Sequence, residues 1–178
     1  DYFRVDTVKH VEHAAWQSLK TSLAEVNPSF KMIGEYFGAS YGNTGDYLGN
    51  GGMDALLDFD FKSYASNFVN GNNISGLEAT LETRNTAIDN SLTLGQFLGS
   101  HDEDGFLTSG AIGGNTSKLK VAASLQITAK GQPVVYYGEE VNLSGPNAYN
   151  EADNNRYNMQ FENLDQDQQK TLAHYQKM

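Results

Sequence analysis

At 178 residues with 39% apolar side chains, the chain is long enough for one soluble domain with a sizeable core. Its 12 basic against 22 acidic side chains leave a formal net charge of -10, which repels phosphate backbones and anionic membrane surfaces and excludes nucleic acid and membrane as expected partners. The absence of Cys excludes a disulfide framework and a thiolate site, and no apolar run approaches the roughly 18 residues of a membrane span.

The first run, residues 2–6, reads as a strand in which Arg4 and Asp6 share one face because side chains alternate with period two. Behind it Val11, Ala15, Leu19, Leu23 and Val26 recur at helical spacing until Pro28 stops the pattern. "FKMIGEYF" is predicted as a short buried strand ending near Glu35, followed by a Gly-, Asn- and Tyr-rich loop with no helical period, a length of loop that usually carries function. "MDALLDFDF" is a third strand, and residues 75–88 place Leu77, Leu81 and Ile88 on one helical stripe.

"LGQFLGSHD" is predicted as a fourth strand, with "SKLKVAASLQITAKGQP" behind it as a helix ended by Gly131 and Pro133. "PVVYYGEE" reads as a fifth strand buried on both faces, and after a polar, Asn-rich stretch the last dozen residues form an exposed helix capped by Asp165. Short buried strands alternating with helices predict an α/β protein with a parallel sheet, open or closed into a barrel, as a single domain over residues 1–178.

Asp6, Glu35 and Asp102 then stand at strand ends. In a parallel sheet all such ends lie on one edge, where barrel active sites are built, so the three carboxyl groups are expected around one mouth with Arg4, Lys9, His10 and His101 as cationic neighbours. Taken singly, each has a plainer reading: Arg4 with Asp6 as a structural ion pair, Glu35 as a solvated strand-end carboxylate, His101–Asp102 as a turn with a capping Asp.

Taken together, "FRVDTVKH", "IGEYF" and "FLGSHDEDG" resemble, in order and strand context, three motif regions of the α-amylase family of glycoside hydrolases, and "GQPVVYYGEE" is similar to that family's last barrel strand. The chain looks most like bacterial α-amylases and the amylase modules of amylopullulanases. The resemblance implies a parallel (β/α)8 TIM barrel, present here as about strands 4 to 8 with the N-terminal half missing. It implies that Asp6 is the nucleophile, Glu35 the general acid and base, and Asp102 the carboxylate that holds sugar hydroxyls in the strained transition state. Arg4 would keep Asp6 ionised, and a drier setting would raise the Glu35 pKa so that it can protonate the leaving oxygen.

The same resemblance assigns Lys9, His10, Tyr36 and His101 to substrate binding, with Asp153 and Arg156 as further candidates, and gives the His10 backbone carbonyl as a ligand of calcium. The implied activity is retaining, endo-acting hydrolysis of α-1,4-glucosidic bonds in starch or maltooligosaccharides by an extracellular enzyme. Alternatives are action on the α-1,6 bonds of pullulan, or glucosyl transfer. A fragment of this kind is expected to be inactive or weak alone, and to self-associate or pair with its missing half, because it leaves strand edges unpaired.

Two other classes compete. His10, His13, His101 and Asp102 are residue types that hold a transition metal in barrel hydrolases, although that reading leaves Arg4 and Glu35 unexplained. A non-catalytic carbohydrate-binding barrel is the third, and the presence of all three carboxylates argues against it.

Overall fold

The computed structural model describes residues 2–72, 74–88, 93–147 and 155–178. Five strands, β1 (Tyr2–Val5), β2 (Lys31–Gly34), β3 (Ala55–Asp58), β4 (Thr93–Gln96) and β5 (Gln132–Pro133), form one sheet in the order β1-β2-β3-β4-β5. Five helices join the series: α1 (His13–Val26), α2 (Phe61–Val69), α3 (Ile74–Ala87), α4 (Thr116–Thr128) and α5 (Gln166–Tyr175). β1 pairs with β2, β2 with β3 and β3 with β4, all parallel, each through a connection of more than a dozen residues, of which that between β2 and β3 is a loop with one 3-10 turn, Gly49–Gly51. The chain gathers into two compact units, one of Asp1–Phe61, Ala79–Gln96 and Lys130–Gln132, the other of Lys62–Glu78, Phe97–Ala129 and Pro133–Met178.

In the first unit, Met32, Leu56 and Leu94 from three successive strands meet Val8, Ala39, Met53 and Ile88 in a fully apolar core, with Trp16, Leu23 and Tyr36 packed on it. β3 is buried at every position, the mark of a central parallel strand covered on both faces. β2 ends on Gly34, where a Cβ would sit 3.0 Å from Leu56 Cδ2 and from Met53, so only glycine lets the side chains of that region close up. Among the described residues β1 has one neighbour, and Tyr2 and Phe3 are each 52% exposed.

Helix α1 keeps its predicted span but not its predicted inward face. Ala15, Leu19 and Val26 are exposed, while His13, Trp16, Lys20 and Leu23 turn inward at the same helical spacing. Two polar attachments set that phase: Trp16 Nε1 donates to Val8 O at 3.0 Å, and Lys20 Nζ reaches the largely buried Asp54 carboxylate at 2.9 Å. Burial pushes the Asp54 pKa up, but Lys20, the Met32 N–H and Lys31 outweigh it and hold the carboxyl below its usual value.

The third strand is shorter than expected, because Phe61 opens helix α2, in which Phe61, Ala65 and Phe68 follow a helical rather than an alternating period. β4 likewise stops at Gln96, six residues before Asp102, and the intervening loop has no regular structure. The fifth run contributes only Gln132–Pro133 to the sheet. β5 stands last in the strand order, so among the described residues no second ladder covers the run, and Val135 and Tyr137 remain 40% exposed instead of buried.

In the second unit α4 starts on Asn115, whose side chain accepts from Ser117 N at 3.0 Å and Lys118 N at 3.2 Å, and buries Leu119, Ala122, Ala123 and Gln126 along one stripe. α5 begins on the predicted Asp165, which forms a full capping box with Gln168. Phe97, Leu98, Phe106, Ile112 and Val141 complete the apolar interior of this unit.

Candidate active site

Two side-chain clusters carry the predicted chemistry, one in each unit. In the first, Asp6 and Glu35 are the residues that immediately follow β1 and β2, and the register Val5↔Gly34 brings these two strand ends level on the C-terminal edge of the sheet. Glu35 is tied to the β1 end by three hydrogen bonds. Its N–H donates to Val5 O at 2.7 Å, its carbonyl accepts from Val8 N at 3.0 Å, and its Oε2 accepts from Thr7 N at 2.8 Å. Thr7 takes up a left-handed conformation (φ 48°, ψ 42°) between Asp6 and Val8.

The two carboxylates have opposite surroundings. Asp6 is open to solvent and ion-paired through Oδ1 with Arg4 Nη1, as expected for two residues on one strand face. Glu35 is only 9% exposed and has a backbone donor on one oxygen. A reachable, charged nucleophile and a general acid shielded from water would require a contrast of this kind.

Around them, Lys9 Nζ stands 5.4 Å from the Phe37 ring centre and 6.0 Å from that of Tyr36. Tyr36 leans on Tyr47, whose ring packs edge-on against His13 at 4.1 Å. His13 therefore serves a ring stack on α1. His10 lies exposed on the 3-10 turn Val8–His10.

In the second unit Asp102 is held at both oxygens. His101 Nε2 lies 2.9 Å from Oδ2 and Arg156 Nη2 lies 3.1 Å from Oδ1, so two residues read separately from the sequence, 55 positions apart, meet on one carboxylate. The loop beneath is held by its carbonyls. Those of Ser100 and Glu103 both accept from Asn155 Nδ2 at 2.6 Å, that of His101 from Arg156 Nε at 3.3 Å, that of Asp102 from Asn147 Nδ2, and that of Asp104 from Lys62 Nζ at 2.6 Å. Five consecutive carbonyls outside any helix or strand thus each have a side-chain donor, which fixes a loop that secondary structure does not.

A family model described as alpha amylase, catalytic domain, matches residues 1–177. The chain belongs to the α-amylase family. It is 28% identical over 158 residues to neopullulanase 2 of Thermoactinomyces vulgaris, a match covering 82% of this chain and 24% of that protein. It is 29% identical over 193 residues to the periplasmic α-amylase of Escherichia coli K12, covering 100% of this chain and 26% of the relative. The solved α-amylase of Geobacillus thermoleovorans, in complex with acarbose, superposes with a TM-score of 0.81 at 28% identity over 99% of this chain and 40% of that one. The chain thus spans about a quarter of the length of these curated relatives. The parallel five-stranded α/β sheet is part of an α-amylase TIM barrel.

Within this α-amylase domain, Asp153 lies outside the described residues, whereas Arg156 is in place on Asp102. For calcium the chain supplies the His10 carbonyl; calcium takes six to eight oxygens, and among the described residues no group of three or more His, Asp or Glu side chains is placed to hold an ion. The residues present do not compose a calcium site by themselves, and no step is assigned to the ion.

Two residues of this α-amylase domain were not anticipated from sequence. Asn155, 3% exposed, staples the loop around Asp102; it sits in an Asn-rich polar stretch whose composition says only loop. Glu139, 3% exposed, has both carboxylate oxygens without a hydrogen-bond partner among the described residues, and Oε1 lies where a Cβ on Gly99 would be only 2.7 Å away. Burial pushes its pKa up to about 8, against the opposing charge of Lys62 and with the help of Glu140. Its only sequence signal is a pair of acids closing an apolar run.

Proposed function

We propose that the protein carrying this chain hydrolyses α-1,4-glucosidic bonds of starch-like glucans from within the chain and with retention of anomeric configuration. The observation that carries the reading is the pairing of an open, Arg4-paired Asp6 with a shielded, Thr7-bonded Glu35 at the level ends of two adjacent parallel strands. Asp6 attacks the anomeric carbon while Glu35 protonates the departing glycosidic oxygen. The glycosyl–Asp6 ester is then cleaved by a water from which Glu35, now a carboxylate, takes the proton. For that sequence the two carboxyl groups need a separation of about 5–5.5 Å when substrate is bound.

In the same reading Asp102 and His101 hydrogen-bond hydroxyls of the sugar at the cleaved bond. Lys9, His10 and Tyr36 line the leaving-group side, and Phe37, exposed and stacked on Phe59 at 5.2 Å, adds an apolar ring to that edge. Asp153 and Arg156 complete the sugar contacts. Calcium bound through the His10 carbonyl, with its other ligands supplied from beyond this chain, belongs to the proposal and is tested by following thermal unfolding of the full-length protein as a chelator is added. The periplasmic location named for the Escherichia coli relative supports an exported enzyme.

The deciding experiment assays the full-length protein on amylose and on pullulan with analysis of product anomers, alongside Asp6→Asn and Glu35→Gln. Retained anomers from amylose, and losses of at least about 10³-fold in each variant, are expected. Cleavage of pullulan to maltotriose without action on amylose moves the specificity to α-1,6 bonds, and glucan-length redistribution without new reducing ends moves it to transfer. No new reducing ends and no length redistribution from either glucan with wild type returns the chain to a glucan-binding role, and full activity in both variants removes Asp6 and Glu35 from catalysis. Loss on chelation with both carboxylates dispensable returns it to a metal-dependent hydrolase.

A further inference from the structure

Asn155 is placed to do more than fill a loop. Its Nδ2 carries two hydrogens, and they go to the carbonyl oxygens of Ser100 and Glu103, both at 2.6 Å, which are the two residues that bracket His101–Asp102. The orientation of the amide is determined, because two carbonyl acceptors can be served only by the nitrogen and the Tyr157 hydroxyl donates to Oδ1 at 2.7 Å. The backbone of Asn155 is pinned as well, since its carbonyl accepts from Tyr136 OH at 2.6 Å. With the residue 3% exposed, these bonds are made in a setting where water does not compete for them. Gly105, at the far end of the loop, has no room for a side chain beside Asn155, because a Cβ there would lie 3.0 Å from Asn155 Oδ1 and 2.2 Å from Ser144 Oγ.

We propose that Asn155 is a positioning residue: by clamping the backbone on both sides of His101–Asp102 it holds the Asp102 carboxylate in the orientation that grips sugar hydroxyls in the transition state. The proposal rests on the role given to Asp102 above. Asn155 itself has no need to touch the sugar. Its contribution belongs to the transition state more than to ground-state binding, so its loss lowers kcat and leaves KM nearly unchanged.

The test is a double-mutant cycle in the full-length protein with 4-nitrophenyl α-maltotrioside, a substrate whose good leaving group keeps weak variants measurable. Asn155→Asp keeps the shape and the acceptor for Tyr157 but turns an acceptor toward two carbonyls. It is expected to lower kcat by roughly 10- to 100-fold with KM within about 3-fold, and to lower it by less than about 2-fold further when Asp102→Asn is already present. Tyr157→Phe, which removes only the bond that orients the amide, is expected to lower kcat by about 2- to 5-fold with an unchanged circular dichroism spectrum, and covers the case in which Asn155→Asp does not fold. Wild-type kcat in Asn155→Asp, or in Tyr157→Phe where the first variant is unfolded, overturns the proposal, as do losses that multiply in the double variant. Wild-type kcat in Asp102→Asn overturns the role of Asp102 itself, so the two failures are told apart.

Discussion

The Arg84 guanidinium and the Asp58 carboxylate form an ion pair at 2.9 Å with neither side chain more than 1% exposed. Arg84 is also bonded to Gln96 Oε1 at 3.0 Å and to the Lys130 carbonyl, so the end of α3 is tied to β3, β4 and the approach to β5. Burial raises the Asp58 pKa even though Arg84 opposes it. A raised folded-state pKa means that the stability linked to this group is fullest below the unfolded value of 3.8 and is lost as pH rises through the folded one. Arg84→Met removes the counter-charge and extends that loss, so a destabilisation of about 3–5 kcal/mol is expected near pH 8 and a smaller one near pH 5. Adding Asp58→Asn makes the deficit smaller and independent of pH. Urea titrations at the two pH values measure both effects.

Glu139 gives a second pH dependence of the same sign. Its carboxyl is protonated in the folded protein up to about pH 8 and ionises at 4.5 when unfolded. The folded state therefore loses stability between those values, at about 1.4 kcal/mol per unit of pH within the window, and the loss levels off above pH 8. Glu139→Gln stays neutral throughout. Relative to that variant, wild type is expected to fall by a few kcal/mol between pH 5 and pH 8.5 in thermal or urea unfolding. Parallel curves for the two proteins contradict the assignment.

Features governed by local chemistry were legible from sequence. The span of α1, the Asp165 cap and the positions of Asp6 and Glu35 just past two strands follow from periodicity, capping and alternation, which act over a few residues. Arg84 lies on the same helical stripe as Leu77, Leu81 and Ile88, but its charge marks it as exposed until Asp58 is known to face it. Asn155 acts on carbonyls 52 and 55 residues away, and a hydrogen bond of that range leaves neither period nor motif. The inward face of α1 was misphased for a related reason, since Lys20 turns inward only because Asp54 is there.

The outer edge of β1 makes no strand pairing among the described residues, and Tyr2 and Phe3 stand half exposed beside it. Unpaired N–H and C=O groups next to apolar side chains recruit another chain. The isolated 178-residue chain is expected to sediment as dimers or larger species at micromolar concentration. Placing charge on that edge with Tyr2→Lys and Phe3→Lys is expected to shift it toward monomer. A well-folded wild-type monomer contradicts this.

Thr7 holds a conformation that costs a β-branched residue about 1–2 kcal/mol, with φ at 48° between the proposed nucleophile and the core residue Val8. The surrounding bonds over-determine it: Glu35 Oε2 accepts from Thr7 N, and the Glu35 carbonyl accepts from Val8 N. Glycine adopts this conformation without strain but loses more chain entropy on folding, roughly 0.5–1 kcal/mol. Thr7→Gly is therefore expected to stabilise the full-length protein by up to about 1 kcal/mol, and Thr7→Ala by less, because alanine keeps part of the left-handed penalty. Catalysis is expected to move the other way. With the strained residue released, the Asp6–Glu35 segment samples more conformers, and kcat falls by about 3- to 10-fold in Thr7→Gly. Unfolding midpoints and kcat measured on the same preparations decide it; a glycine variant that is less stable than the alanine variant shows that no strain is stored at Thr7.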